Sequence, residues 1–438
     1  MKKFYKNKNV LVYGMSSSGI WASKLLKKLK ANLFVFDDDE TKLKELGLTN
    51  CTILNKITDS IIKTLNIIIV SPAIEKTNKV IQLAKQNNIM VISELEFAAQ
   101  FCKKLVAVTG TNGKTTTVEL ITSILKTKYK AISCGNIGYP LSKAVLKNRT
   151  SIKVVEVSSF MLENAKTFSP NVATVLNISP DHLVRHKTMQ EYTSLKLSIF
   201  KNLKPNNYAV LNLDENLNMN LNCKTLTYSY SKMADVRVKD GAIYLKDKKL
   251  LNINQLKLKG KHNIYNVMCA VCFAYIFRVK PEKIKTALMS FTPSQFRNEH
   301  IATINNIKFI NDSKSTNLAS TFASVEANKG SLILMLGGSK KDLNYTQFFQ
   351  NLTKRVKLII AFGEIKEMLE QVNNQKFKME ICQNLDEAFN VATNNALAND
   401  TILFSPSSAS YDQFKNYIER GNKFNEKVKE YEIKQTQK

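Results

Sequence analysis

The chain has 438 residues, 44% of them hydrophobic, with a formal net charge of +28. That length gives room for two to four domains and a sizeable core. No apolar run approaches the roughly 18 residues needed to span a bilayer, and MKKFYKNKNV leads straight into a strand rather than a signal segment, so a cytosolic chain without a membrane partner is expected.

The charge alone invites a nucleic-acid partner. The lysines, however, are spread along the whole chain beside Asn and Ile, and no basic cluster interleaves with aromatics. Nucleic acid is therefore not expected, whereas polyanionic small substrates suit the charge. Of the seven cysteines only Cys269 and Cys272 form a C-x-x-C, and they sit in the apolar run NVMCAVCFAYIF. Buried thiols are expected there, not a redox or zinc site.

In chain order, NVLVYG (9–14) reads as a strand, MSSSG as a turn, and Ile20 to Leu29 as a helix, followed by the strand LFVFDDD (33–39). This is a βαβ opening with a nucleotide-type turn after its first strand. Ser16 stands where the middle glycine of G-x-G-x-x-G would be, which leaves a mononucleotide or a nucleotide-sugar open. IIIVSP (67–72) supplies a further strand ending at Ser71-Pro72, and IMVISELEFAAQF (89–101) passes from strand to helix at the exit of this first domain.

Lys104 to Thr117, KLVAVTGTNGKTTT, is a short apolar strand that breaks at Gly110 and Gly113 and opens a helix at Lys114. Strand, glycine loop and helix N-terminus make a phosphate cradle of backbone N–H groups, with Lys114 adding a full charge and Thr115 a hydroxyl for Mg²⁺. Only half of G-x-x-x-x-G-K-[ST] is present, because its first glycine position falls on Val108. An ordinary strand–helix turn is the plainer alternative. Strands at 131–135, 153–158, 173–179 and 208–214 with helices between most of them predict a doubly wound parallel sheet. Short pieces from 221 to 256 suggest hairpins, and a helix starts at about 262.

After Pro293 the pattern resets into a third α/β unit. Its strands are KFIN, 331–338, 357–363, 377–383 and 401–406, with helices at about 364–371, 385–397 and 411–428. The expected domains are 1–94, 95–292 and 293–438.

Polar groups gather where these strands end. Glu156 lies inside an apolar strand, a costly position for a carboxylate unless it is paired or binds metal. Asp181 and His182 follow a strand end on the same sheet edge. Lys196 alone reads as a solvated helix lysine. Asp312 and Lys314 in NDSKSTN suit either a carboxylate and cation aimed into a cleft or a capped helix start. SPSSASYDQF (405–414) puts serines before an expected helix N-terminus, a place for a carboxylate or phosphate.

TGTNGKTT, EVSSF, NISPDH, HNIYN, NDSKSTN and SPSSASYDQFKNYIERG occur in the order and spacing of the Mur ligases, which nearly the whole chain resembles, and the last two motifs resemble those of the D-glutamate-adding members. The resemblance implies three α/β domains: a Rossmann-like one for the UDP group, a central P-loop ATPase-like one for ATP, and a Rossmann-like one that closes over both and presents D-glutamate. It implies a monomer acting on small molecules, UDP-N-acetylmuramoyl-L-alanine, D-glutamate and ATP, through an acyl phosphate. Another ATP-dependent amino-acid ligase of the superfamily, Mur-type or folylpolyglutamate-type, is the alternative.

Carried over by position, Gly110, Thr111, Asn112, Gly113, Lys114, Thr115 and Thr116 would hold the phosphates. Asn263, Asn266, Arg297 and Asp312 would contact the nucleotide. Lys114, Glu156, His182 and Lys196 would be catalytic, and Thr115, Glu156, His182 and a carbamylated Lys196 would serve two Mg²⁺ sites. Met15, Ser16, Asp37, Asp38, Ser71 and Pro72, joined by Asn136 and Ser158, would hold the UDP substrate. Lys314, Thr316, Lys341, Ser410 and Tyr417 would surround D-glutamate. Met161, Phe296 and Lys340 depart from the family's usual Gln, His, and acid or glycine.

Overall fold

Three sheets, each built on runs of buried β-branched residues, organise the chain. The computed structural model describes residues 2–44, 49–217, 219–340, 344–373 and 376–437. The first two sheets lie in one compact unit, residues 1–257 with 264–291, and the third lies in a second, residues 258–263 with 292–438.

The first sheet holds β1 (Asn9–Tyr13), β2 (Asn32–Phe36), β3 (Thr52–Ile53), β4 (Ile67–Val70) and β5 (Met90–Ser93), all parallel, in the order 3-2-1-4-5. Helices cover both faces of such a sheet, so its central strands read as continuous apolar runs rather than alternating ones. Ile67 to Val70 are accordingly buried throughout, and each such side chain contributes about 1.5–3 kcal/mol by leaving water. Strand order reverses between β1 and β4, which is where ligands of doubly wound sheets bind.

The second sheet holds β6 (Leu105–Thr109), β7 (Ala131–Gly135), β8 (Ile152–Glu156), β9 (Val172–Val175), β10 (Tyr208–Asn212), β11 (Lys224–Ser229), β12 (Val236–Lys239), β13 (Ala242–Leu245) and β14 (Lys248–Asn252). Its order is 14-13-12-11-10-9-6-8-7. The expectation of hairpins over 221–256 holds only at the far edge. β11 and β12 pair parallel to their inner neighbours, and antiparallel pairing begins at β12–β13. Asp240-Gly241, with φ of 47° and 67°, turns that hairpin, the backbone hand a two-residue connection needs. Cys269 and Cys272 are buried free thiols in the helix Lys261–Ile276.

The third sheet holds β15 (Glu299–Ile304), β16 (Ile307–Asn311), β17 (Leu332–Gly337), β18 (Val356–Phe362), β19 (Met379–Cys382) and β20 (Thr401–Ser407), in the order 15-16-20-17-18-19. Only β15 is antiparallel to its neighbour, returning through Asn305-Asn306 at φ of 50° and 60°. The final helix departs from its predicted 411–428 and runs over Tyr417–Thr436. Asn416 is extended and accepts hydrogen bonds from the N–H groups of Ile418 and Glu419, a full N-cap. Ser410 instead heads an isolated turn closed by the Phe414 amide at 2.9 Å. Among the described residues, no helix is long and apolar enough to cross a membrane.

Candidate active site

The phosphate loop joins β6 to the helix Lys114–Lys126. Gly113 caps that helix at φ 80° and brings no side chain of its own to the helix N-terminus, the end at which anions bind. A Cβ at Gly113 would stand 2.4 Å from Oδ1 of Asn266, which itself accepts from Thr117 Oγ1 at 3.1 Å. Asn266 thus packs against the loop, and only glycine leaves room for it. Gly113→Ala is expected to weaken nucleotide binding at least about tenfold, through strain at positive φ and displacement of Asn266; calorimetric titration with ADP measures it, and parental affinity would refute the packing argument.

Asn177 brackets the loop from β9. Its Oδ1 accepts from the Asn112 amide at 2.9 Å and its Nδ2 donates to the Asn112 carbonyl at 3.1 Å. Thr111 Oγ1 donates to the Ser179 carbonyl at 3.1 Å and lies 3.2 Å from the Tyr192 hydroxyl. Neither Asn177 nor Tyr192 was expected from the sequence. NISP at a strand end was the available signal for Asn177, whereas an isolated helix tyrosine gives none.

Lys114 folds back so that its Nζ donates to the carbonyls of Gly110 at 2.8 Å and Thr111 at 2.6 Å. Lys196 Nζ reaches the same Gly110 carbonyl at 2.8 Å and lies over the Tyr192 ring at 4.6 Å. Lys196 is 1% exposed, so the reading of it as a solvated helix residue does not hold. Burial, reinforced by the Lys114 charge and opposed by Asp181 and Glu156, brings its pKa down to about 6.

Glu156 ends β8 beside β6, and its carboxylate accepts from Thr115 Oγ1 at 2.5 Å and Asn136 Nδ2 at 2.9 Å. Thr115, Asn136 and Glu156 thus come together at one sheet edge. A hydroxyl and a carboxylate are the hard oxygen donors Mg²⁺ takes, and Mg²⁺ commonly uses one or two protein ligands with substrate phosphates completing its shell. The residues therefore fit the ion, although among the described residues no group of three or more His, Cys, Asp and Glu forms a metal cluster. His182, at φ 55°, has Nε2 3.5 Å from Asp181 and its ring edge-on to Phe160. Its nitrogen is a softer donor than Mg²⁺ favours. His186, four residues on, is buried against Ser159 at 2.9 Å. Met161 packs into the core, and Ser158 caps the short helix Ser159–Leu162.

At the β1–β4 crevice the Ser16 hydroxyl lies 3.4 Å from that of Ser71 and 3.5 Å from that of Ser18. Ser16 caps the helix Ser17–Lys28 without a side-chain bond, leaving that N-terminus open to an anion. Asp37 accepts from the Met15 amide at 2.5 Å and Asp38 from the Tyr13 hydroxyl at 2.8 Å, so both acids fix the turn. Arg185 forms a fork with Glu163, at 2.9 and 2.7 Å, and donates to the carbonyls of Ala73 and Ile74, tying the segment after Ser71-Pro72 to the turn that carries His182.

In the second unit Asp312 is buried and accepts from Ser315 Oγ at 2.5 Å, Ser405 Oγ at 2.8 Å and the Asn298 amide at 2.9 Å. Its carboxylate knits the loop together, and burial raises its pKa. The Lys314 ammonium lies 3.6 Å from the Tyr417 ring centroid. Thr316 follows two residues on, and Ser410 is buried. The correction at Ser410 removes its helix N-terminus, because that helix begins at Tyr417. Asn263 donates to the Lys259 carbonyl at 2.8 Å, and Arg297 is half-buried beside Phe296. Phe296 itself is buried against Gly421, and its carbonyl accepts the Lys314 amide. Lys340 is exposed. Lys341 lies outside the described residues.

Comparison with known proteins identifies the family. A family model described as Mur ligase middle domain matches residues 108–274, and one described as Mur ligase, glutamate ligase domain matches 296–408. The UDP-N-acetylmuramoylalanine–D-glutamate ligases of Caldicellulosiruptor bescii and Thermoanaerobacter sp. (strain X514) are 36% and 33% identical to the chain, over 97% of it and 98% and 99% of their own lengths. A pseudomurein peptide ligase type C from Methanothermus fervidus superposes with a TM-score of 0.61 at 20% identity, covering 96% of this chain and 100% of that one. A MurF ligase from Thermotoga maritima in complex with ADP gives 0.61 at 17% identity, covering 98% and 97%. At those identities the structures speak for the fold, three α/β sheets in Mur ligase order, while the whole-length relatives decide the family. The chain belongs to the Mur ligases, within the family of the UDP-N-acetylmuramoylalanine–D-glutamate ligases.

Proposed function

We propose that the chain joins D-glutamate to the carboxylate of UDP-N-acetylmuramoyl-L-alanine at the expense of ATP, releasing ADP and phosphate, as a step of peptidoglycan precursor synthesis. The observation that carries the chemistry is the meeting of Lys114, Thr115 and Glu156 at one sheet edge. A carboxylate is a poor acyl donor, and phosphorylation gives it a leaving group the amine can displace through a tetrahedral intermediate.

Gly110 to Thr116 would hold the ATP phosphates by backbone N–H groups, with Lys114 neutralising charge on the transferring phosphoryl. Thr115 and Glu156 would hold one Mg²⁺, and Lys196, as a carbamate, a second, beside His182; the ion supplies charge neutralisation on phosphate oxygens. Ser16, Ser71 and the start of the helix Ser17–Lys28 would take the UDP group, with Asp37 and Asp38 shaping that turn. In the second unit Lys314, Thr316, Ser410 and Tyr417 would meet D-glutamate, with Lys314 as the charge-assisted partner of a carboxylate.

Phosphate release from ATP, with UDP-N-acetylmuramoyl-L-alanine and one amino acid at a time, tests this reading. D-Glutamate is expected to drive turnover. L-Glutamate is expected to fall at least about a hundredfold behind, because inverting the α-carbon with both carboxylates held swings the amine off the acyl phosphate. Efficient use of L-glutamate, or turnover with another amino acid instead, would overturn it.

A further inference from the structure

Arg420 is the largest fully buried side chain of the described residues, at 0% exposure, in the first turn of the helix Tyr417–Thr436. Among the described residues, every side-chain hydrogen bond it makes goes to a neutral oxygen. Nη2 donates to the carbonyls of Ser313 at 2.9 Å and Ser408 at 3.0 Å, Nη1 to those of Ala409 at 3.3 Å and Gly337 at 3.5 Å, and Nε to Ser313 Oγ at 3.2 Å. Asp412 is the acid that acts on it, through space, while burial lowers its pKa to about 10. A charge taken out of water without a bonded counter-ion is expensive, and an apolar side chain of that volume would fill the space more cheaply. Its geometry offers the reason it is there.

The acceptors come from three loops that leave β16, β17 and β20, three neighbouring strands of the third sheet. Ser313 precedes Lys314 and Thr316, Gly337 is the last residue of β17, and Ser408 and Ala409 precede Ser410. Because peptide units are planar and trans, a carbonyl drawn to Arg420 turns the N–H of the next residue the opposite way. Ser313 O therefore sets Lys314, and Ala409 O sets Ser410. The loops lie so close that a Cβ at Gly338, φ 126°, would stand 2.1 Å from Ala409 O and 3.0 Å from Nη1 of Arg420. Ser313 Oγ also donates to the Tyr417 carbonyl at 2.8 Å, which brings the base of the Lys314–Tyr417 pair into the same knot.

We propose that Arg420 is a positioning residue for the amino-acid substrate: its guanidinium fork holds the carbonyls of three loops so that Lys314, Thr316 and Ser410 face one dicarboxylate. The proposal rests on the reading above that these side chains meet D-glutamate. A lysine keeps the charge, but its three N–H donors radiate from one nitrogen and lack the reach of a planar fork that meets carbonyls of three loops through separate nitrogens.

In the full-length enzyme, Arg420→Lys is expected to raise the KM for D-glutamate about tenfold or more while the KM for ATP stays within about twofold. A side chain that only stabilised the fold would lower melting temperature and active fraction, hence apparent kcat, without separating the two KM values. Lys314→Ala is the reference arm. If it leaves the D-glutamate KM unchanged, the D-glutamate reading of these loops fails; if it raises that KM and Arg420→Lys does not, the reading stands and the positioning role is wrong. Should Arg420→Lys not fold, Ser313→Ala, which removes the oxygen accepting from Nε, carries the test. A D-glutamate-selective KM rise then supports the role, and parallel or absent KM changes overturn it.

Discussion

Lys114→Ala is expected to lower kcat about a thousandfold and to leave the melting temperature almost unchanged. The loss corresponds to about 4 kcal/mol of transition-state stabilisation, of the size seen when one charged or oxyanion-type donor is removed. Lys114 is half-buried and sits in a loop-to-helix turn rather than in the apolar core, so the fold has little to lose. Its amine is held by two loop carbonyls, at 2.8 and 2.6 Å, within the cradle itself. A phosphoryl group arriving there meets the ammonium without a large rearrangement. Charge on that group is spread widest as it transfers, so the lysine matters more to the transition state than to ATP binding. Phosphate release at saturating substrates measures the effect. A variant within threefold of the parent would remove Lys114 from the catalytic machinery.

The sheets were legible because a parallel strand buried on both faces writes itself as an unbroken apolar run, as in IIIV and LILMLG. Boundaries that depend on single hydrogen bonds were not. The C-terminal helix starts six residues later than its apolar spacing suggests, because that spacing continues upstream, while the N-cap that starts it is one asparagine, Asn416, among several polar candidates. The parallel strands β11 and β12 look like hairpin pieces in the sequence, since parallel and antiparallel strands of that length look alike without their partners. Of the site, candidates carried by a contiguous motif were readable, such as Lys114 and Thr115 in TGTNGKTT. Arg185, Tyr192 and Arg420 were not, because partners that fix them lie 81 to 112 residues away or on other loops. Lys196 shows the limit from the other side. Its helix pattern says solvated, and only packing against Tyr192 and Gly110 makes it a buried amine.

That buried amine gives the second large effect. Lys196→Ala is expected to lower kcat about a hundredfold or more, and acetate at tens of millimolar is expected to restore a measurable part. Two ammonium groups on the Gly110 carbonyl repel each other, and the conflict is relieved if Lys196 is neutral. With its pKa brought down to about 6, chiefly by burial and then by Lys114, the amine is unprotonated at neutral pH and able to add CO₂. The product retains one N–H, so the bond to Gly110 O can persist, and it carries a carboxylate that now attracts Lys114 instead of repelling it. The sign of the pH dependence follows. Above about pH 6 the lysine is available for carbamylation, and below it the proton blocks the reaction. Enzyme stripped of CO₂ should therefore recover activity with bicarbonate at pH 8 and much less at pH 5.5, while the alanine variant should ignore bicarbonate and respond to acetate at both. Bicarbonate rescue that is equal at the two pH values would show that the amine is not the titrating group. Parental activity in Lys196→Ala would show that no anion is needed at this position, and the pairing of Lys196 with Lys114 at Gly110 would then be a feature of the loop's packing alone.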